Sequence, residues 1–212
     1  MNTDGLGDIA DRLRRQFDAK HAAREQALSL GREVIRLSAN AIRAVHRREF
    51  EAAEALIGQA RGSLEQVERA LAEHRDIHHA GYVQDAYKEY AEASCTLALI
   101  AGRALPSPEE LGVGGAPYLN GLAETIGELR RHLLDNLRDG EVGHCEEALS
   151  AMNDIYDVLV TMDYPEAVTG GLRRTTDAMR GILERTRGDF TMASVQRQLE
   201  DRLGQFEKRL NL

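Results

Sequence analysis

Tyr118–His132 reads YLNGLAETIGELRRH, and the rest of the chain is organised around this stretch. On a helix, side chains three or four residues apart share a face. Glu124 and Glu128 are four apart, so their carboxylates stack one turn above each other, with Arg131 on the same side. Leu122, Ile126, Leu129 and Leu133 fall opposite, as an apolar stripe fit for a core. Like charges at this spacing slightly destabilise a lone helix, so the pair calls for a reason. A second pair lies upstream in DAYKEYAEAS, where Glu89 and Glu92 are three apart on one face of a predicted helix. If the two helices pack together, four carboxylates converge. Such a cluster either holds protons above the usual range or recruits a divalent cation.

Composition bounds the fold. The chain has 212 residues, 42% apolar, with no Trp and only four Pro, three of them within residues 106–117. Long runs of Ala, Glu, Leu and Arg with so few breakers predict an all-α protein. The formal charge of −8 excludes a uniformly basic nucleic-acid surface but leaves room for a local basic patch. Arg outnumbers Lys 24 to 3, which supplies forked donors suited to phosphates. Cys95 and Cys145 form no metal or redox motif, and a reducing compartment is the natural reading. The N-terminus MNTDGLGDIADRLRR carries no apolar signal region and no run of about 18 apolar residues exists, so a cytoplasmic protein is expected.

The periodicity predicts seven helices. The first covers 8–47, and about 40 residues of helix would span about 60 Å, a length that usually packs along partners. The second covers 50–73. His74–His79, HRDIHH, reads as an exposed turn, because no Cys or Glu stands at a spacing that would close a zinc site. The third covers 83–103 and becomes apolar all round in ASCTLALIAG. Residues 104–117 form the one clear loop, and its GVGG lacks the strand and the GK[ST] of a phosphate-binding loop. Helices at 118–138, 141–162, 171–187 and 192–210 follow, the last two separated by a turn at Gly188-Asp189. Together they make one helical bundle domain over residues 1–212.

Five segments in this order resemble one family. They are GREVIRLSANAIRAVHR (31–47), QDAYKEYAEA (84–93), YLNGLAETIGELRR (118–131), IYDVL (155–159) and GLRRTTDAMRGILERTRGD (171–189). Each is weak alone, but their order and spacing resemble the translin superfamily, and within it the translin-associated factor X branch, in an archaeal or other prokaryotic type of member. The resemblance implies a seven-helix subunit with a long first helix that assembles into a closed octameric shell. It also implies a Mg²⁺-dependent endoribonuclease, with Mn²⁺ as a substitute, acting on single-stranded RNA or DNA inside that shell. By motif match the metal-binding and catalytic residues are Glu89, Glu92, Glu124 and Glu128. The family's third acidic position is typically Asp; Glu124 adds a methylene and shifts ligand reach by about 1.5 Å, a bond length.

The chemistry agrees with the donors. Mg²⁺ prefers oxygen ligands and uses few carboxylates together with substrate phosphates. Arg131 can hold a phosphate bidentately or merely pair with Glu124 or Glu128. Arg47 is the other motif-matched phosphate ligand, and Arg43, Arg48 and Arg130 are further candidates for an interior basic surface. His132 is four residues beyond Glu128 and reads as a surface histidine. Tyr87, Tyr90 and Tyr118 can stack on bases, with core packing the stronger reading for Tyr87 and Tyr90. Pattern alone also fits four solvent-facing glutamates in a chain that is 29% charged. Other functions compete. One is a non-catalytic single-strand binder of the translin type. Another is a di-metal oxidase, disfavoured because Cys95 and Arg131 stand where its His would be. The last is a structural coiled coil.

Overall fold

The computed structural model describes residues 3–210. Among them there are nine helices and no strand. The all-α class stands. The chain divides into two compact units, the first ending at Ser94 and the second beginning at Cys95, both within the same helix.

The first unit holds α1 (Leu6–His46), α2 (Phe50–Leu71), α3 (Arg75–His78) and most of α4 (Gly81–Ile100). As predicted, α1 is long, at 41 residues. Its second half buries Val34, Leu37, Ala41 and Val45, spaced three and four apart, so one face is continuously dry. α2 answers with Ala53, Ala60, Leu64, Val67 and Leu71. Ala41 and Ile42 pack with Ala93 of α4 and with Leu56 and Ile57 of α2. The turn between α1 and α2 is tight, and Arg48 takes a positive φ of 61° there, a conformation uncommon for any side chain other than Gly, Asn or Asp.

HRDIHH is not simply an exposed turn. Arg75–His78 form one helical turn with Ile77 buried. His78 is pinned because Glu68 Oε1 on α2 receives both its Nε2, at 2.7 Å, and the hydroxyl of Tyr87 on α4. Burial alone would raise the Glu68 carboxyl; the hydrogen bonds from Tyr87 and His78 win and hold it below its ordinary value.

The second unit contains the end of α4, then α5 (Pro108–Leu111), α6 (Gly115–Asp139), α7 (Val142–Leu159), α8 (Glu166–Thr169) and α9 (Leu172–Leu210). The predicted loop at 104–117 is interrupted by α5, which a capping box starts: Ser107 Oγ accepts from the Glu110 amide while the Glu110 carboxylate accepts from the Ser107 amide. α6 begins three residues early, with Pro117 in the first turn, where its missing N–H would have had no partner. Gly140, at φ 81°, ends α6 and reverses the chain into α7. Leu133, Cys145 and Ala148 form the core between these two helices, with Leu137, Leu149 and Phe190 around them.

Buried Asn120 ties three elements. Its amide donates to the carbonyls of Ala116 and Thr169, at 2.9 and 2.8 Å, and its Oδ1 accepts from Thr175 at 2.9 Å. The largest departure from expectation concerns the last two helices. Residues 171–187 and 192–210 are one helix, because α9 runs unbroken through Gly188 for 39 residues. Glycine weakens a helix by about 1 kcal/mol without ending it unless the backbone turns left-handed, and Gly188 is not among the positive-φ glycines. Arg130 of α6 also grips the helix on both sides of Gly188, donating to Thr186 Oγ1 at 2.9 Å and to Asp189 Oδ2 at 2.7 Å. Merging those two and adding three single-turn helices replaces the expected seven with six long helices and three short ones among the described residues.

Two apolar stripes lie on the surface. Leu6, Ile9, Leu13 and Phe17 on α1, and Met192, Val195, Leu199, Leu203 and Phe206 on α9, recur at three and four residues yet all are exposed. No helix among the described residues is long and apolar enough to cross a membrane.

Candidate functional site

In the first unit α4 brings Glu89 and Glu92 one turn apart, as their spacing demands. The helix around them is dry: residues 91–98 are all buried. Glu92 itself is only 8% exposed, which decides against a solvent-facing glutamate. A carboxylate taken out of water costs several kcal/mol unless cations or donors compensate it. Glu89 is half-buried, and the Nζ of the equally half-buried Lys88 lies 3.3 Å from its Oε1. Lys88 went unremarked in the sequence. The available signal was its rarity, one of three lysines, and its place four residues before Glu92.

In the second unit α6 presents Glu124 and Glu128 on one face, both half-buried. The opposite face is as expected: Leu122, Ile126, Leu129 and Leu133 are buried. Arg131 Nη1 stands 4.0 Å from Glu128 Oε2 with about half its side chain in solvent, a weak pair that leaves the guanidinium able to turn elsewhere. Oxygen-only donors of this kind suit a hard divalent cation rather than zinc or copper.

No family model matches the chain. An uncharacterized protein of Methanocaldococcus jannaschii is 30% identical over 176 residues, covering 81% of this chain and 76% of that protein. Among solved structures, AfC3PO in a complex with duplex RNA superposes with a TM-score of 0.82 at 33% identity, covering 89% of this chain and 98% of its own. AfC3PO in a second crystal structure gives 0.82 at 32% with the same coverage. Apo-NeC3PO gives 0.78 at 20% identity, covering 87% and 96%, a likeness of fold alone. The chain belongs to the translin superfamily.

The other residues marked out for this translin-superfamily chain fall into two groups. Arg47 is exposed and doubly bonded to Glu49, by Nε at 2.9 Å and Nη2 at 2.7 Å, so a phosphate there would have to displace a carboxylate. Those bonds hold the Arg47 guanidinium above and the Glu49 carboxyl below their ordinary values. Arg43 is exposed and donates to Asn40. Arg130 is different from these: bonded to Thr186 and Asp189, it is a clamp on α9, not an open phosphate ligand.

Tyr87 and Tyr90 are buried, as expected, and burial raises both phenols. Tyr118 is buried too, against the stacking option left open for it. Its hydroxyl donates to the Pro106 carbonyl at 2.8 Å, and burial, then the neighbouring Cys95, push it up to about 12. His132 is half-buried rather than on the open surface. Its Nε2 lies 3.1 Å from Asn136 Nδ2, and it borders a hollow of about 330 Å³ with His144 and Glu147.

Proposed function

We propose that this protein is a Mg²⁺-dependent endoribonuclease of the translin superfamily that cuts single-stranded RNA inside a homo-oligomeric shell. The observation that carries the reading is the buried side chain of Glu92, one helical turn from Glu89 and within the fully buried 91–98 stretch of α4. Glu89, Glu92, Glu124 and Glu128 are proposed as the ligands of one metal site, two carboxylates from each helix. Bound there, Mg²⁺ would activate a water and neutralise charge developing on the scissile phosphate. The glutamates fix the oxygen donors and orient the attacking water through its hydrogen bonds. Arg131, weakly held by Glu128, is proposed to steady a non-bridging phosphate oxygen. AfC3PO was solved with duplex RNA, which supports RNA as the ligand class and makes duplex RNA the comparison substrate.

Homo-oligomerisation, to an octamer, is proposed through the exposed stripes of α1 and α9. Together these nine large apolar side chains exceed what a soluble monomer ordinarily leaves uncovered along a helix. Mass by light scattering tests this, and a stable monomer at micromolar concentration would contradict it.

The test of the chemistry is the double substitution Glu124→Gln with Glu128→Gln. It keeps shape and removes two charges. Cleavage of a fluorescent single-stranded RNA in Mg²⁺ should fall by at least about 100-fold, while RNA affinity, resting on arginines, changes little. Full activity in the double mutant removes these residues from the reaction. Wild-type protein that binds RNA but never cuts it, with or without Mg²⁺, makes this a non-catalytic binder instead.

A further inference from the structure

Lys88 is a lysine held half-buried against a carboxylate. The chain uses arginine at 24 of its 27 basic positions, so a lysine held half-buried at the acidic face of α4 stands apart. On that helix Asp85, Lys88, Glu89 and Glu92 are spaced by three, one and three residues, so Lys88 and Glu92 are one turn apart on the same side. Lys88 Nζ sits 3.3 Å from Glu89 Oε1, and roughly three-quarters of each side chain is shielded from solvent.

The choice of lysine has a physical consequence. Arginine would engage the carboxylate with a rigid two-pronged fork. An ammonium is a compact point charge on a flexible four-carbon stem and makes a single exchangeable contact. A divalent ion carries twice the charge and competes for the same oxygen. We propose that Lys88 is the resident counter-ion of the α4 carboxylates, displaced from Glu89 when a divalent cation binds and then turned to a phosphate oxygen of the substrate. This rests on the metal-site reading above. It adds a positioning role in the free protein and a substrate contact in the loaded one. Without Lys88, Glu89 would lose its 3.3 Å ion pair, and an incoming metal would meet one competitor fewer at that oxygen.

The test compares wild type, Lys88→Met and Lys88→Arg in two measurements. The first is Mg²⁺ and Mn²⁺ affinity by calorimetry without RNA. Lys88→Met should bind the metal about five-fold more tightly, the scale of one partly exposed ion pair, and Lys88→Arg no more tightly than wild type. The second is single-turnover cleavage of single-stranded RNA at saturating Mg²⁺. Lys88→Met should be slower by about 10-fold or more despite its fuller metal site, with part of the rate restored in Lys88→Arg. A residue that merely props the helix would not strengthen metal binding while slowing cleavage. Metal affinity unchanged or weakened in folded Lys88→Met overturns the displacement. Tighter metal with an unchanged rate overturns the phosphate contact. If no variant cleaves RNA, wild type included, the nuclease reading fails, and the calorimetry still decides whether Lys88 is the counter-ion.

Discussion

Helix α4 and the outer half of α9 are inversions of each other. The first hides an acid: Glu92 is 8% exposed in a stretch of α4, residues 91–98, that is buried throughout. The second displays what should be hidden, with Met192 71% exposed and Phe206 59% exposed. Neither arrangement follows from residue type. Each sets a side chain against its surroundings, an acidic group in a dry stretch of helix and apolar groups in water. A buried carboxylate asks for a cation, and an exposed apolar stripe asks for another surface.

The sharpest way to break this contrast is at its buried end. Glu92→Gln should lower Mg²⁺-dependent RNA cleavage by at least about 100-fold while the metal-free protein melts no earlier than wild type, since a neutral amide is cheaper to bury than a carboxylate. An active mutant would mean that Glu92 is buried for packing alone. At the exposed end, Leu199→Asp with Leu203→Asp should leave circular dichroism largely intact but shrink the assembled mass. Each leucine removed from an interface forfeits about 2 kcal/mol of burial. An unchanged mass would free the α9 stripe of any role in association.

The join between the inner and outer halves of α9 gives a smaller effect. Arg130→Ala removes the Asp189 ion pair and one of the two partners of Thr186 Oγ1, which still donates to the Ile182 carbonyl, and should cost about 1 kcal/mol by denaturant unfolding without altering RNA affinity. A drop in RNA affinity instead would return Arg130 to the phosphate-binding set.

Acid titration probes the first unit. Glu68 is depressed below its ordinary value, so the stability it contributes is complete above that ordinary value, 4.5, and drains away as pH falls through the depressed one. Tyr87→Phe removes one of its two donors and should flatten that part of the stability–pH curve. An unchanged acid slope would show that His78 suffices alone. The smallest expected change is Gly188→Ala, a gain of about 1 kcal/mol or less, because the site is exposed and open and the helix already passes through it.

Much of this was readable in the chain. The three- and four-residue spacing of Val34, Leu37, Ala41 and Val45 marked the dry face of α1, and the stripe from Leu122 to Leu133 marked that of α6. The same periodicity at Leu6–Phe17 led nowhere inside the chain, because periodicity reports that a face is apolar and not what covers it. Gly188-Asp189 misled because a glycine followed by an acid reads as a turn, while the contacts that keep the helix straight come from Arg130, about sixty residues away. Pairing of Glu89 with Glu92 and of Glu124 with Glu128 was legible from spacing. The burial of Glu92 was not, since it depends on everything packed around α4. The partners of Tyr118, an option for stacking, and of Arg130, a further candidate for phosphate, were not legible for the same reason: Pro106 lies in a loop that carries no periodic signal, and Thr186 and Asp189 are 56 and 59 residues from Arg130.

Arg197 leaves one consequence for the outer half of α9. Its Nη1 donates to the Gly140 carbonyl at 3.1 Å, and Phe190 packs against the core between α6 and α7, so the helix stays tied down for about two turns past Gly188. Amide exchange should therefore stay slow through that stretch and quicken only beyond Arg197. A strut anchored this far out holds its apolar stripe at a set angle, and a second surface has to meet it in register at first encounter.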